Sequence, residues 1–205
     1  MGNFKQAVSK IFELEGGFQD FPSDTGNYNS IGQLVGTNWG ISAPVYESWL
    51  QRPPTLLDMK NMPKSVAESI YKSRFWDKIK GDQVNPQYLA EIIFDGAVNH
   101  GVSRGVKLLQ EVLRINPDGV MGNETLSAIS QSNPVQLHDA YKQRRIEFYY
   151  SLASSTPSYQ AFLNGWINRV NSFIATSDLA PFILMVAAAI WFFSKKKKKR
   201  YAYSN

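Results

Sequence analysis

The sequence predicts a mainly α fold with a transmembrane helix at its C-terminal end. Apolar residues recur at spacings of three and four in most segments, which is the pattern of a helix with one buried face. The Gly-, Asn- and Ser-rich loop at residues 16–38 leaves room only for a small hairpin. A run of fifteen apolar residues, 179–193, stands near the end of the chain.

The first predicted helix ends at Glu15, directly before two glycines. Its apolar face carries Phe4, Val8, Ile11 and Phe12, and Glu15 lies on that face because it follows Ile11 by four positions. Burial among apolar side chains raises the pKa of a carboxylic acid, which suits a general acid. The other interpretation is an exposed residue in the last helical turn, followed by a glycine stop. The register favours the first interpretation.

The segments that follow also carry helix signals. A helix is predicted to open near Pro44 and another near Pro63. Residues 86–101 are apolar almost all round, which predicts a buried central helix with a C-terminal cap at Gly101. Further helices are expected within residues 103–115, 122–130 and 135–153, and a final segment, 159–174, leads toward the apolar run.

Charge and composition exclude several classes of function. The net charge is +5, but six positive charges lie at residues 195–200, and the rest of the chain has 16 basic and 17 acidic residues. We therefore expect no nucleic-acid partner. The chain has no cysteine, and its two histidines, His100 and His138, are far apart, so neither a metal site nor a cofactor is expected.

The apolar run at residues 179–193 predicts a membrane anchor. Fifteen helical residues span about 22 Å, short of the ~30 Å hydrocarbon core, but the following lysines can snorkel to the interface. The opposite interpretation is a buried core helix. Because a core helix rarely ends in five lysines, we expect residues 174–194 to anchor the chain in a lipid membrane and residues 195–205 to form a basic tail.

Several short motifs in the first hundred residues resemble glycoside hydrolase family 108, the N-acetylmuramidase type of bacterial and phage lysozyme. They are Glu15-Gly16-Gly17-Phe18, Asp24-Thr25-Gly26, the stretch from Gly36 to Ser42, Phe75-Trp76-Asp77 and the stretch from Phe94 to Gly101. A later stretch, "LLQEVLRINPDGVMGNETLSAI" from Leu108, resembles the peptidoglycan-domain segment that often follows in that family. The order of the motifs makes the resemblance specific.

The resemblance implies a lysozyme-like helical domain at residues 1–105 and a peptidoglycan-domain segment at residues 106–173. It also implies cleavage of the β-1,4 bond between N-acetylmuramic acid and N-acetylglucosamine in bacterial peptidoglycan, with Glu15 as the catalytic acid. The enzyme would be a phage endolysin. The expected location is an internal membrane of a virion, with possible virion proteins as partners, or the bacterial inner membrane with the catalytic domain facing the wall.

A glycosidase of this kind usually needs a second carboxylate. Asp24 matches the aspartate of the family's loop and is the predicted catalytic partner of Glu15, with Asp20 as a candidate for substrate binding. The other substrate-binding candidates are Thr37, Asn38, Trp39, Asn99 and His100. Each candidate also has a structural alternative: the aspartates could form turns, Thr37 and Asn38 could cap a helix, and the other residues could pack in the core.

Two other functions remain open from the sequence. A lytic transglycosylase uses a single glutamate, and Glu15 alone could serve that chemistry. A non-catalytic wall-binding protein of a membrane or virion needs no acid at all, although a glutamate in the correct helical register argues against it. The predicted activity is therefore that of a peptidoglycan-degrading muramidase.

Overall fold

Nine α-helices make up most of the part of the chain that is described, residues 1–175 of a computed structural model. They are α1 (Phe4–Glu15), α2 (Ala43–Leu50), α3 (Leu56–Lys60), α4 (Lys64–Tyr71), α5 (Gln87–His100), α6 (Val102–Leu113), α7 (Asn123–Gln131), α8 (Pro134–Ser155) and α9 (Gln160–Asn171). The helical part of the predicted fold class is confirmed.

Short turns connect these helices. Three are 3-10 turns, Thr25–Asn27, Gly81–Gln83 and Pro157–Tyr159, and one is a π-helical turn, Lys72–Trp76. The early loop holds isolated antiparallel bridges, and no strand forms within residues 1–175. The π turn interrupts the helix expected after Pro63, because its backbone hydrogen bonds span one residue more than those of an α-helix. Trp76, the last residue of this turn, is fully buried in the core.

Helix α5 is the centre of the core, as its apolar composition predicts. It packs against α1, α6 and α8. The crossing of α5 with α6 is close, because a Cβ atom on Gly105 would lie 2.9 Å from the carbonyl oxygen of Gly96. Tyr141 of α8 covers the same crossing and donates a hydrogen bond to the Gly105 carbonyl oxygen at 3.1 Å. Two small residues therefore allow three helices to meet.

Helix α1 is fixed at both ends and along its buried face. The Asn3 side chain accepts a hydrogen bond from the backbone N–H of Gln6 at 3.1 Å, and Gly16 ends the helix with φ +68°. Val8 and Ile11 are buried against the core. This arrangement places Glu15 at the last position of the helix, where the chain turns into the early loop.

The end of the described chain returns to α1. Val170 in α9 and Phe173 just after it are buried. The ammonium group of Lys10 in α1 lies 4.2 Å from the centre of the Phe173 ring. Helix α9 therefore packs beside α1, although about 150 residues separate the two helices in sequence.

A buried carboxylate ties three helices together. Asp95 of α5 is fully buried, and its Oδ2 accepts a hydrogen bond from Arg145 Nη2 of α8 at 2.6 Å. Its Oδ1 accepts a hydrogen bond from Arg169 Nε of α9 at 2.7 Å. Burial works against the charged form of Arg145, but Asp95 raises the pKa of this guanidinium, which therefore stays cationic. The two ion pairs fix α8 and α9 on the central helix.

The predicted transmembrane helix is the part of the fold class that is corrected. No helix within residues 1–175 is both long and apolar enough to cross a bilayer. The longest, α8, carries charged residues such as Arg144, Arg145 and Glu147 in its middle. The predicted segment 179–193 lies outside the described residues. Within residues 1–175 the fold class is therefore mainly α.

Replacing Asp95 with alanine is expected to lower the free energy of unfolding by about 3–5 kcal/mol, because Arg145 would stay buried without its partner. Urea denaturation followed by circular dichroism at pH 7 measures this change. Asp77→Ala is the control, since Asp77 pairs with Lys72 on the surface and its loss should leave the midpoint unchanged. Equal midpoints for both variants would show that the buried pairs do not stabilise the fold.

Candidate active site

A cleft of about 530 Å³ opens where α1 meets the early loop. Its walls come from the end of α1, the first part of the loop and the turn before α2. The residues that line it are Glu15, Gly16, Gly17, Phe18, Gln19, Phe21, Asp24, Gly26, Thr37, Gly40 and Ser42. Glu15 and Asp24 are its two carboxylates, so the structure brings together the predicted catalytic pair.

The Glu15 carboxyl group lies between a cation and a glycine. Its Oε1 is 2.7 Å from Arg169 Nη1, and its side chain is 22% exposed. A Cβ atom on Gly40 would approach Glu15 Oε2 to 2.9 Å, so the carboxyl group fits closely against the bare backbone there. The apolar face of α1 is therefore only part of the surroundings of Glu15, because an ion pair is present as well.

Arg169 links this ion pair to the buried carboxylate of the core. Its Nη1 contacts Glu15, while its Nε donates to Asp95 Oδ1. Burial opposes the charged form of Arg169, but Asp95 and then Glu15 raise the pKa of its guanidinium. A planar guanidinium can bind two carboxylates in fixed directions, as an ammonium cannot. Arg169 therefore holds the Glu15 side chain in a fixed orientation toward the core.

A tyrosine supports the same wall of the cleft. The Tyr71 hydroxyl donates a hydrogen bond to the backbone carbonyl oxygen of Trp39 at 3.1 Å. Burial, followed by the negative charge of Glu15, raises the pKa of Tyr71, so the phenol stays protonated. The hydroxyl also lies 2.5 Å from the position that a Cβ atom on Gly40 would take. Tyr71 thus fixes the backbone that closes over Glu15.

Asp24 lies on the opposite part of the cleft lining and is exposed. Its Oδ1 accepts a hydrogen bond from the backbone N–H of Gly26 at 2.8 Å, which is the turn-forming contact that the sequence allows. Its Oδ2 has a long contact of 3.5 Å with the amide nitrogen of Gln19. One oxygen therefore holds the turn and the other is accessible to a water molecule. Asp20 is also exposed and lies outside the lining.

The three residues of the Thr-Asn-Trp motif have different positions. Thr37 lines the cleft and pairs through its backbone with Gln19. Asn38 is buried, and its amide nitrogen donates to the Met59 carbonyl oxygen at 2.8 Å. The Trp39 indole N–H donates to the Met62 carbonyl oxygen at 3.1 Å. Of the three, only Thr37 faces the space where a substrate would lie.

Trp39 packs against Phe12 of α1, with 5.6 Å between the ring centres. Its backbone has φ +53°, an uncommon conformation for a tryptophan. Since the partly buried ring packs against the core, its position fixes the adjacent Gly40 at the cleft. Trp39 therefore contributes to the site through the backbone.

Asn99 and His100 end α5 away from the cleft lining. The Asn99 Oδ1 accepts a hydrogen bond from the Tyr149 hydroxyl at 2.8 Å. His100 Nε2 accepts a hydrogen bond from Arg145 Nε at 3.3 Å. Burial, followed by the charge of Arg145, lowers the pKa of His100 to about 3, so the ring is neutral near pH 7. Both residues connect α5 to α8.

The ion network behind Glu15 was not predicted from the sequence. A signal was available, because Asp95 is the one carboxylate in the apolar stretch "IIFDGAV" and a buried carboxylate needs a cationic partner. The identity of that partner had no local signal, since Arg145 and Arg169 follow 50 and 74 residues later. Among residues 1–175, no cluster of three His, Asp or Glu side chains could hold a metal ion.

Comparison with known proteins agrees with this geometry. The model of the family described as Glycosyl hydrolase 108 matches residues 8–101, and that of the Predicted Peptidoglycan domain matches residues 104–171. The structure of SagA from Brucella abortus is similar to this chain, with 28% sequence identity and a TM-score of 0.65. The likeness covers 83% of this chain and 94% of that one. No curated protein matches the sequence.

The two matched stretches meet behind the cleft, because Glu15 belongs to the first and its ion-pair partner Arg169 to the second. The lining of the cleft comes from the first stretch, and the second supplies the cation that contacts the acid. Residues 8–101 form a glycosyl hydrolase 108 domain, and with the peptidoglycan domain that follows it the chain is a peptidoglycan-degrading glycosidase.

Proposed function

We propose that the enzyme is a muramidase that hydrolyses the β-1,4 bond between N-acetylmuramic acid and N-acetylglucosamine. Glu15 donates its proton to the glycosidic oxygen, and Asp24 is the second carboxylate. The observation that carries this proposal is that Glu15 and Asp24 line one cleft of about 530 Å³. Most glycosidases use two carboxylates that lie on either side of the glycosidic bond.

The surroundings of Glu15 support its role as the acid. Arg169 is shared with Asp95, which is fully buried and competes with Glu15 for the guanidinium. Arg169 is therefore partly neutralised by Asp95 and does not act on Glu15 as an isolated cation. A sugar chain in the cleft would also expel water from the half-buried carboxyl group and bring the glycosidic oxygen within its reach.

Asp24 distinguishes hydrolysis from the transglycosylase alternative. A lytic transglycosylase needs only the acid, since a hydroxyl of the substrate closes an anhydro ring in place of water. Asp24 is exposed, and its Oδ2 has one long contact, at 3.5 Å from the side-chain amide of Gln19. It can accept a proton from a water molecule, so the geometry favours hydrolysis. The phage or virion setting inferred from the sequence stays a prediction.

The proposal is tested by digesting purified peptidoglycan with the full-length chain and with its Glu15→Gln variant. The substitution keeps the shape of the side chain but removes the proton, so we expect a loss of activity of at least about 100-fold. Mass spectrometry should find reducing muramic acid ends in the wild-type digest. Glu13→Gln is the matched control, since Glu13 is exposed on the same helix.

Asp24→Asn should also reduce the release of ends at least tenfold, and the exposed Asp20→Asn should not. Anhydro ends in the wild-type digest, with full activity of Asp24→Asn, would move the enzyme to the transglycosylase class. A folded wild-type protein that binds the wall and cleaves nothing would contradict the muramidase proposal and favour a binding role.

Gly40→Ala is expected to abolish activity, because a methyl group there would contact both Glu15 Oε2 and the Tyr71 hydroxyl. The residue also has φ +73°, which an alanine adopts at a cost of about 1–2 kcal/mol. Release of reducing ends from peptidoglycan and the urea midpoint are measured together.

Gly122→Ala is the control for this substitution, because no atom lies within 4 Å of the added methyl group. We expect it to retain both activity and stability. If Gly40→Ala were as active as Gly122→Ala, the close fit of the glycine against the acid would have no role in catalysis.

A further inference from the structure

A second groove, of about 720 Å³, lies next to the cleft. One wall is the early loop and the other is formed by α8, α9 and the turn between them. Its lining residues are Gln19, Phe21, Ser23, Asp24, Thr25, Leu152, Tyr159, Phe162 and Trp166. Gln19, Phe21 and Asp24 also line the cleft, so the two spaces are adjacent.

The helical wall of this groove is aromatic. The ring of Trp166 stacks on Tyr149 beneath it, with 5.1 Å between ring centres and an interplanar angle of 22°. Phe162 stacks beside Trp166 at 6.0 Å, and Tyr159 meets Trp166 edge-on at 5.8 Å. Phe162 is 56% exposed. The groove therefore has a fixed, solvent-accessible aromatic surface.

The loop wall is polar and carries little charge. Gln19, Ser23 and Thr25 supply amide and hydroxyl groups, and Asp24 is the only charged residue of the lining. Within residues 1–175 no lysine or arginine lines the groove, so an acidic ligand such as the carboxylates of a stem peptide has no cation to pair with there. An aromatic wall opposite a mostly polar wall matches a pyranose ring, which has an apolar face and hydroxyl groups at its rim.

We propose that this groove is a saccharide subsite that binds the glycan strand beyond the two sugars at the cleaved bond. The inference rests on the proposed function, since three residues are shared with the cleft and a strand bound there would pass next to the groove. A sugar ring lies on Phe162 and Trp166, and its hydroxyl groups bond to the loop wall. Residues of the peptidoglycan domain thereby select long strands over short ones.

Binding is measured with the full-length Glu15→Gln protein, so that the test does not depend on cleavage. The probes are peptide-free glycan strands of defined length, prepared from peptidoglycan with an amidase, and calorimetry gives the dissociation constants. Phe162→Ala in this background should weaken binding of strands of eight or more sugars by about two- to tenfold. Binding of a tetrasaccharide that fills only the cleft should not change.

Leu57→Ala is the matched control, because Leu57 is an exposed apolar residue on α3, outside the groove lining. It should leave the affinity for both probes unchanged. If Phe162→Ala lowered the affinity for short and long strands equally, or for neither, the subsite proposal would be wrong. A loss seen only with strands that keep their stem peptides would also overturn it, since the groove would then hold peptide.

Kinetics with otherwise wild-type protein separate this inference from the proposed function. Phe162→Ala should raise KM for long strands with little change in kcat. If the muramidase proposal fails while the affinity difference persists, the groove is a glycan-binding site without that activity. If the muramidase proposal holds and Phe162→Ala binds long strands normally, the subsite alone is wrong.

Discussion

The carboxylate of Asp95 is the constraint on which the rest of the structure depends. It is fully buried in the central helix, and such a charge is tolerated only when cations and hydrogen bonds surround it. Arg145 and Arg169 supply them from α8 and α9. Because Arg169 also pairs with Glu15, one buried charge sets the positions of four helices and of the acid in the cleft.

This network makes the two family matches parts of one catalytic unit. Arg169 belongs to the stretch that matches the peptidoglycan domain, yet its Nη1 lies 2.7 Å from the acid of the glycosidase stretch. The aromatic groove is also formed by both stretches, since each of them supplies one of its walls. The predicted boundary between residues 105 and 106 stays a prediction, and neither stretch alone would contain the complete cleft and its ion network.

The local features of the site were accessible from the sequence. The position of Glu15 at the end of an amphipathic helix follows from its spacing to Ile11 and from the glycine after it, and the structure has α1 ending at Glu15. Buried α5 follows likewise from its uniform apolar composition. These features depend on residues a few positions apart, which is the range over which periodicity is informative.

Contacts between distant segments could not be predicted in this way. Arg169 is 154 positions after Glu15, and no pattern in either helix identifies the other as its partner. Trp39 was predicted to bind substrate, but the packing of its ring on Phe12 depends on how α1 crosses the loop. Phe162 and Trp166 have no distinguishing pattern in the sequence, and their role follows only from the position of α9 next to the early loop.

The most direct test of the central claim is the kinetics of Arg169 variants on purified peptidoglycan. If Arg169 holds the acid in place, Arg169→Gln should lower kcat at least tenfold with little change in KM. Arg169→Lys should lose less activity, because lysine restores the positive charge but not the planar guanidinium that binds two carboxylates. Urea denaturation of each variant identifies any loss that is due to unfolding. A folded Arg169→Gln enzyme with wild-type kcat would contradict the account.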